Sequence, residues 1–152
     1  MNALELRIPP PAVGVLVAAA MWWGAGLSPA TLAVSNPYFA AAVIALIGIT
    51  FDVLGLIAFH RAKTTVNPLR PNKTTSLVSS GVYRITRNPM YVGMLFLLIA
   101  WAVFLASPWA LLGPLAFVLY MNRFQIGPEE RVLEGLFGDD FTEYKRKVRR
   151  WL

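Results

Sequence analysis

"YFAAAVIALIGITFDVLGLIAF", residues 38 to 59, keeps a single ionisable side chain, Asp52, through an otherwise apolar run. A helix needs about 20 such residues to cross the hydrocarbon core of a bilayer. This stretch therefore sets the expected class: an all-α, polytopic integral membrane protein. Three more stretches, Pro11 to Leu27, Met90 to Ala106 and Trp109 to Asn122, carry no charge at all. The whole chain agrees, with 57% hydrophobic and 14% charged residues over 152 positions and a mean hydropathy of +0.55, too apolar for an ordinary soluble domain.

The fourth stretch is short for a span. Its helix rises roughly 21 Å at 1.5 Å per residue, against about 30 Å of hydrocarbon. Leu105, Ala106 and the stem of Arg123 supply the missing length if it crosses. Ser107 and Pro108 then form a tight hairpin with the third helix, and Pro114 kinks the fourth. A re-entrant hairpin is the other possibility. Expected altogether are about four transmembrane helices, the third and fourth as a hairpin, followed by C-terminal interfacial helices.

The links Ser28 to Pro37 and Ser107 to Pro108 have no Lys, Arg, Asp or Glu, whereas Arg61, Lys63, Arg70, Lys73, Arg84 and Arg87 fill the central link. The positive-inside rule puts both termini and the 61–88 loop on the cytoplasmic side, at the inner membrane in a bacterium. The net charge of +6 then faces anionic lipid headgroups, and no motif for nucleic acid accompanies it. There is no cysteine and one histidine, so thiol chemistry is excluded and a metal centre is not expected. Pro9 to Pro11 and Glu5 flank the first apolar stretch and favour a first span over a signal peptide.

The central link is rich in Thr, Ser, Asn and Pro. Long ordered loops are uncommon unless they serve a function. Pro68 and Pro71 keep it extended, and Ser79, Ser80 and Gly81 permit a tight turn ahead of Val82 and Tyr83. After the fourth stretch, Pro128 suits the first position of a helix whose first turn holds Glu129 and Glu130, where the helix dipole favours carboxylates. Gly138 ends that helix. A second one, with Phe141, Tyr144, Val148 and Trp151 on its apolar side and basic residues around them, reads as an interfacial anchor.

Two segments taken in order carry a family resemblance. "LVSSGVYRITRNPMYVG" (77–93), followed after a hydrophobic hairpin by "EERVLEGLFGDDFTEYKRKVRRWL" (129–152), resembles the isoprenylcysteine carboxyl methyltransferases and the related phospholipid N-methyltransferases. That family shows Gly-x-Tyr-Arg, then Arg-His-Pro-x-Tyr-x-Gly at a helix mouth, then Glu-Glu and Phe-Gly-x-x-(Phe/Tyr)-x-x-Tyr. The likeness covers residues 69 to 152 or so, within a single domain of 1–152 whose first two helices, 1–60, are the variable part.

The resemblance implies S-adenosylmethionine (SAM) as cofactor, S-adenosylhomocysteine as product, and a lipophilic or lipidated acceptor. Leu77, Val78, Gly81, Val82 and Tyr83 match the loop that wraps the cofactor. Asn88, Pro89 and Tyr91 match the helix-mouth core, and Glu129 and Glu130 match the acidic pair. SAM carries an ammonium, a carboxylate and a sulfonium. Glu129 or Glu130 can serve its ammonium, and Asn88 and the tyrosine hydroxyls are neutral donors. Arg84 and Arg87 suit an anion: the cofactor carboxylate, a substrate carboxylate or a lipid phosphate. Their positions also satisfy the positive-inside rule alone.

Asn88 stands where the family has His. Asn cannot titrate, which favours an acceptor that is already ionised, such as a carboxylate. Arg123, just ahead of the acidic pair, matches a basic residue of the relatives and is assigned with Asn88 to catalysis, either orienting a substrate carboxylate or pairing with Glu129. Asp52, the sole ionisable group inside a span, is by default a functional candidate; the plainer reading is a helix-to-helix hydrogen bond, for instance to the indole of Trp22 or Trp23, and His60 reads as a bystander at the interface. The implied activity is carboxyl O-methylation of isoprenylcysteine type. Phospholipid ethanolamine N-methylation and a non-catalytic membrane scaffold are the alternatives.

Overall fold

The computed structural model describes residues 5–27, 31–62 and 76–152. Five helices run in order: α1 (Pro10–Gly26), α2 (Pro37–Arg61), α3 (Pro89–Phe104), α4 (Leu112–Tyr120) and α5 (Gly127–Lys147). Short 3₁₀ turns at Gly81–Arg84 and Pro108–Leu111 precede α3 and α4, and a π-helical segment, Met121–Ile126, joins α4 to α5. Among the described residues there is no β-strand, only an isolated bridge between Thr86 and Arg149. The stretch with Lys63, Pro68, Arg70, Pro71 and Lys73 lies outside the described residues, as do positions 28–30.

Proline marks the helix starts, where its missing N–H has no partner to lose. Pro10, Pro37 and Pro89 open α1, α2 and α3, and the Asn36 side chain accepts the Phe39 N–H at 3.0 Å to cap α2. Among the described residues, α2 alone is long and apolar enough to cross a membrane. Leu46, Ile49, Val53, Leu54, Leu56 and Ile57 are exposed along it, an apolar surface that suits lipid.

Glycines bring α2 and α3 together. A Cβ on Gly48 would lie 2.8 Å from the Gly93 carbonyl oxygen and 3.1 Å from Phe96 Cβ. Phe51 and Phe96 stack at 6.0 Å beside this contact. The Asp52 carboxylate occupies the space over Gly93 that a side chain there would need. The expected bond to Trp22 or Trp23 does not form, because α1 packs on α3 and α4 while α2 packs on α3, and both tryptophans are exposed.

The third and fourth stretches do form a hairpin. Ala106 turns it with φ of 48°, a left-handed conformation that costs roughly 1–2 kcal/mol outside glycine. Its carbonyl accepts the Leu32 N–H at 2.7 Å, so the α1–α2 link fastens the turn. Pro114 falls in the first turn of α4, where a proline breaks no hydrogen bond of that helix. Leu98, Ala102, Phe117, Met121 and Ile126 are buried with Val13 and Met21 of α1 in the main core.

Two expectations for the C-terminal half are corrected. Pro128 does not follow a free helix end: the π segment continues the backbone from α4 into α5, and Ile126 and Gly127 are both helical. The acidic pair therefore sits at no open N-terminus, and the dipole argument for it lapses. The second correction concerns the interfacial helix. Gly138 (φ 51°), expected to end the helix, kinks α5 instead, and Val148 is extended (φ −125°, ψ 135°). Val148 and Trp151 thus leave the helix, and the tail folds back beside Thr86.

Candidate functional site at the mouth of α3

Gly81, with φ of 60°, takes a backbone conformation that favours glycine, and it starts the 3₁₀ turn that buries Val82 and Tyr83. These pack with Val78 against Ala58 near the end of α2, and the Phe59 ring meets Tyr83 edge-on at 5.4 Å. From α5, the Tyr144 hydroxyl donates to the Tyr83 carbonyl at 2.7 Å. Leu77 packs against the cluster of Phe141, Tyr144 and Val148. Burial pushes both phenols up, so Tyr83 and Tyr144 stay protonated.

Glu130 anchors an ion cluster. Arg87 donates to its Oε1 at 2.7 Å, and Arg150 reaches Oε1 through Nε at 3.1 Å and Oε2 through its terminal nitrogen at 2.5 Å. Burial works to raise the Glu130 pKa, but the bonds and charges of Arg150 and Arg87 outweigh it and hold the carboxyl below its ordinary value. The other terminal nitrogen of Arg87 donates to the carbonyls of Val148 (2.6 Å) and Lys145 (3.3 Å), closing the kinked end of α5. Arg87 is therefore committed to the fold and is not the open anion site the sequence suggested.

The tail completes this wall. Arg87 N–H donates to the Arg149 carbonyl at 2.9 Å. Asn88 Nδ2 and the Thr86 hydroxyl both donate to the Arg150 carbonyl, at 2.9 and 3.2 Å. Asn122, in the π segment, accepts from the Trp151 indole at 3.0 Å and from Arg150 at 3.4 Å. Arg150, grouped with the membrane-anchoring cations on sequence grounds, instead binds an internal carboxylate.

Glu129 has a different environment. The Tyr91 hydroxyl and Gln125 Nε2 both donate to its Oε1, each at 2.7 Å. No described residue bonds to Oε2. Burial raises the carboxyl to about 7, against the lowering effect of the two hydrogen bonds. The acidic pair is thus split: Glu130 is a fixed anion satisfied by arginines, while Glu129 titrates near neutrality with one oxygen that no described residue engages.

The structure brings Leu77, Val78, Val82, Tyr83, Asn88, Pro89, Tyr91, Glu129 and Glu130 into one region at the junction of α2, α3 and α5. Arg84 and His60 are exposed. Arg123 is not paired with Glu129: it donates to Glu5 Oε1 at 3.1 Å, beside Arg131 on Glu5 Oε2 at 2.9 Å. Sequence reasoning missed Gln125, Thr86, Asn122 and Arg150. Only Gln125 left a local signal, one helical turn before Glu129; the others make contacts across 20 to 64 residues of chain.

These residues fit a zwitterionic, cationic cofactor in one respect the structure displays: a titrating carboxylate, one oxygen of which no described residue engages, beside a loop that turns at a glycine. The sequence profile of the phospholipid methyltransferase family matches residues 36–140, and the chain belongs to that family. An uncharacterised protein of Haemophilus influenzae is 49% identical over 63 residues, 41% of this chain and all of that protein. Protein-S-isoprenylcysteine O-methyltransferase of Xenopus laevis is 37% identical over 113 residues, 70% of this chain and 38% of that enzyme. Protein-S-isoprenylcysteine O-methyltransferase B of Arabidopsis thaliana is 32% identical over 111 residues, 66% of this chain and 55% of the enzyme. The chain therefore spans about half, or less, of those two enzymes. No solved structure matches.

Proposed function

We propose that the protein is a SAM-dependent methyltransferase of the membrane, acting on a lipophilic acceptor at the cytoplasmic surface, with carboxyl O-methylation of isoprenylcysteine type as its reaction. In this reading the chain crosses the bilayer about four times, and both termini lie in the cytoplasm with the 61–88 loop. The observation that carries it is the Glu129 cluster: a family member holds, at the mouth of an apolar helix, a carboxylate whose Oε1 takes two donors and whose Oε2 takes none from the described residues.

When bound, SAM supplies an electrophilic methyl group on sulfonium sulfur. Glu129 would hold the cofactor ammonium by a charge-assisted bond, its carboxylate fixed by Tyr91 and Gln125. The turn at Gly81–Tyr83 borders the rest of the cofactor, with the Tyr83 N–H and the Val82 and Tyr83 carbonyls already bonded within the protein, and Glu130, Arg87 and Arg150 keep this wall rigid. Asn88 gives its amide to the Arg150 carbonyl and so positions the tail. An acceptor carboxylate already carries the charge it needs, so no residue here has to remove a proton from it. Alignment of the reacting atoms can supply much of the rate.

The test offers methyl-labelled SAM to the detergent-purified protein with either an S-farnesylated cysteine or phosphatidylethanolamine vesicles. Base-labile label, released as methanol, on the farnesylated cysteine is expected. Base-stable label in the ethanolamine headgroup would replace this reading with the N-methyltransferase one. The family profile keeps that second reading in view.

A further inference from the structure

Gln125 is 2% exposed, in a π-helical segment, and polar side chains are rarely buried there without a partner. The local backbone explains its place. Pro128 has no N–H for the Phe124 carbonyl one turn back, and an ordinary α-turn would press its ring on that oxygen. Widening to the π register lets Gly127 N–H reach the Asn122 carbonyl, and a Cβ on Gly127 would sit only 3.1 Å from that carbonyl oxygen. The stranded Phe124 carbonyl accepts the Leu6 N–H at 3.1 Å. Single π-turns recur at functional sites, and this one sets Gln125 beneath Glu129.

We propose that Gln125 is a positioning residue: together with Tyr91 it pins Oε1 of Glu129, leaving Oε2 as the oxygen that receives the ammonium of the cofactor's amino-acid portion. This rests on the reading of Glu129 given above and adds the residue that orients it. Both donors address the same oxygen at 2.7 Å from different elements, α3 and the π segment. Two donors on one oxygen fix the carboxyl plane and concentrate the remaining acceptor capacity on the other. The groups facing Glu129 are Tyr91 from α3, Tyr83 from the 3₁₀ turn, and Gln125 and Glu130 from its own helical run. The charge of Glu130 is matched by Arg87 and Arg150.

The test compares binding of S-adenosylhomocysteine, which has the amino-acid portion, with 5′-methylthioadenosine, which lacks it. Wild type, Gln125→Met, Tyr91→Phe, the double variant and Glu129→Gln are titrated between about pH 5.5 and 7.5, where an α-amino group stays largely protonated. Gln125→Met keeps the buried volume and removes the donor. It should weaken S-adenosylhomocysteine about five- to tenfold, leave 5′-methylthioadenosine unchanged, and move the pH of half-maximal binding upward, since the lost bond favoured the ionised carboxyl. Its effect should combine non-additively with that of Tyr91→Phe. Equal weakening of both ligands, or none, by Gln125→Met while Glu129→Gln still abolishes the preference for the amino-acid portion would overturn the positioning role alone. Unaltered preference in Glu129→Gln would overturn the assignment of Glu129 and this role with it.

Discussion

The Tyr91 hydroxyl donates to Glu129 Oε1 at 2.7 Å and so ties the mouth of α3 to the start of α5. The contact bridges 38 residues of sequence, and it joins the two motifs that a hydrophobic hairpin separates. Glu129 titrates at about 7 in the folded protein, against 4.5 ordinarily, because burial disfavours its charge.

A pH dependence of stability follows. Between about pH 4.5 and 7 the folded state holds a proton on Glu129 that the unfolded chain has released. This group's contribution is therefore fully present below pH 4.5, declines as pH rises, and is exhausted above 7. The loss is on the order of 3 kcal/mol at 1.36 kcal/mol per pH unit. Denaturant unfolding in detergent from pH 4.5 to 8 measures it, and Glu129→Gln should remove this component of the slope.

Glu130 gives the opposite sign. Its pKa is held down, so its contribution is present above its ordinary pKa and disappears as pH falls below it. Glu130→Ala leaves Arg87, 11% exposed, without its carboxylate, and breaking such a pair costs about 3–5 kcal/mol. Arg150→Ala should cost less, because Arg150 is 37% exposed and solvent screens it. Thermal melts of the two variants provide the comparison.

Removing Arg149 to Leu152 takes away the carbonyl acceptors for Arg87 N–H, Thr86 and Asn88. Hydrogen exchange at Arg87 should then accelerate about tenfold or more, equivalent to about 1.4 kcal/mol of lost protection. Exchange within α2 should hardly change, as the tail does not bond to it.

The α2–α3 contact predicts unequal tolerance of alanine. Gly48→Ala meets backbone oxygen and Gly93→Ala meets both Asp52 and the Gly48 carbonyl, whereas Gly55→Ala chiefly meets the Met90 side chain. Overpacking typically costs about 1–3 kcal/mol, and the first two should show it. Met90 can move aside, so Gly55→Ala should cost the least of the three.

Much of this was legible in the sequence because it is local. Apolar length gives α2, Pro37 and Pro89 give helix starts, and Gly138 gives the kink. The ordered motifs placed Tyr83, Tyr91 and the acidic pair in one region. What escaped is non-local or depends on backbone register. Val148 and Trp151 fit a helical stripe, yet the carbonyls of Arg149 and Arg150 satisfy donors at 86–88 and draw the tail into an extended path. Pro128 is a good helix opener, so its place inside a continuous run through a π-turn could not be read from propensity. Arg123 looked like a partner for Glu129 by proximity in sequence, but Glu5 claims it from the far end of the chain.

The central claim is that Glu129 is the cofactor's anchor, and calorimetric titration of SAM into the detergent-purified protein and its Glu129→Gln variant near pH 7.5 tests it most directly. Saturable binding by the wild type, weakened at least about tenfold in a variant that remains folded, is the predicted result, as expected for a lost charge-assisted bond. No saturable binding to folded wild type at millimolar SAM, or equal binding by the two proteins, would contradict it.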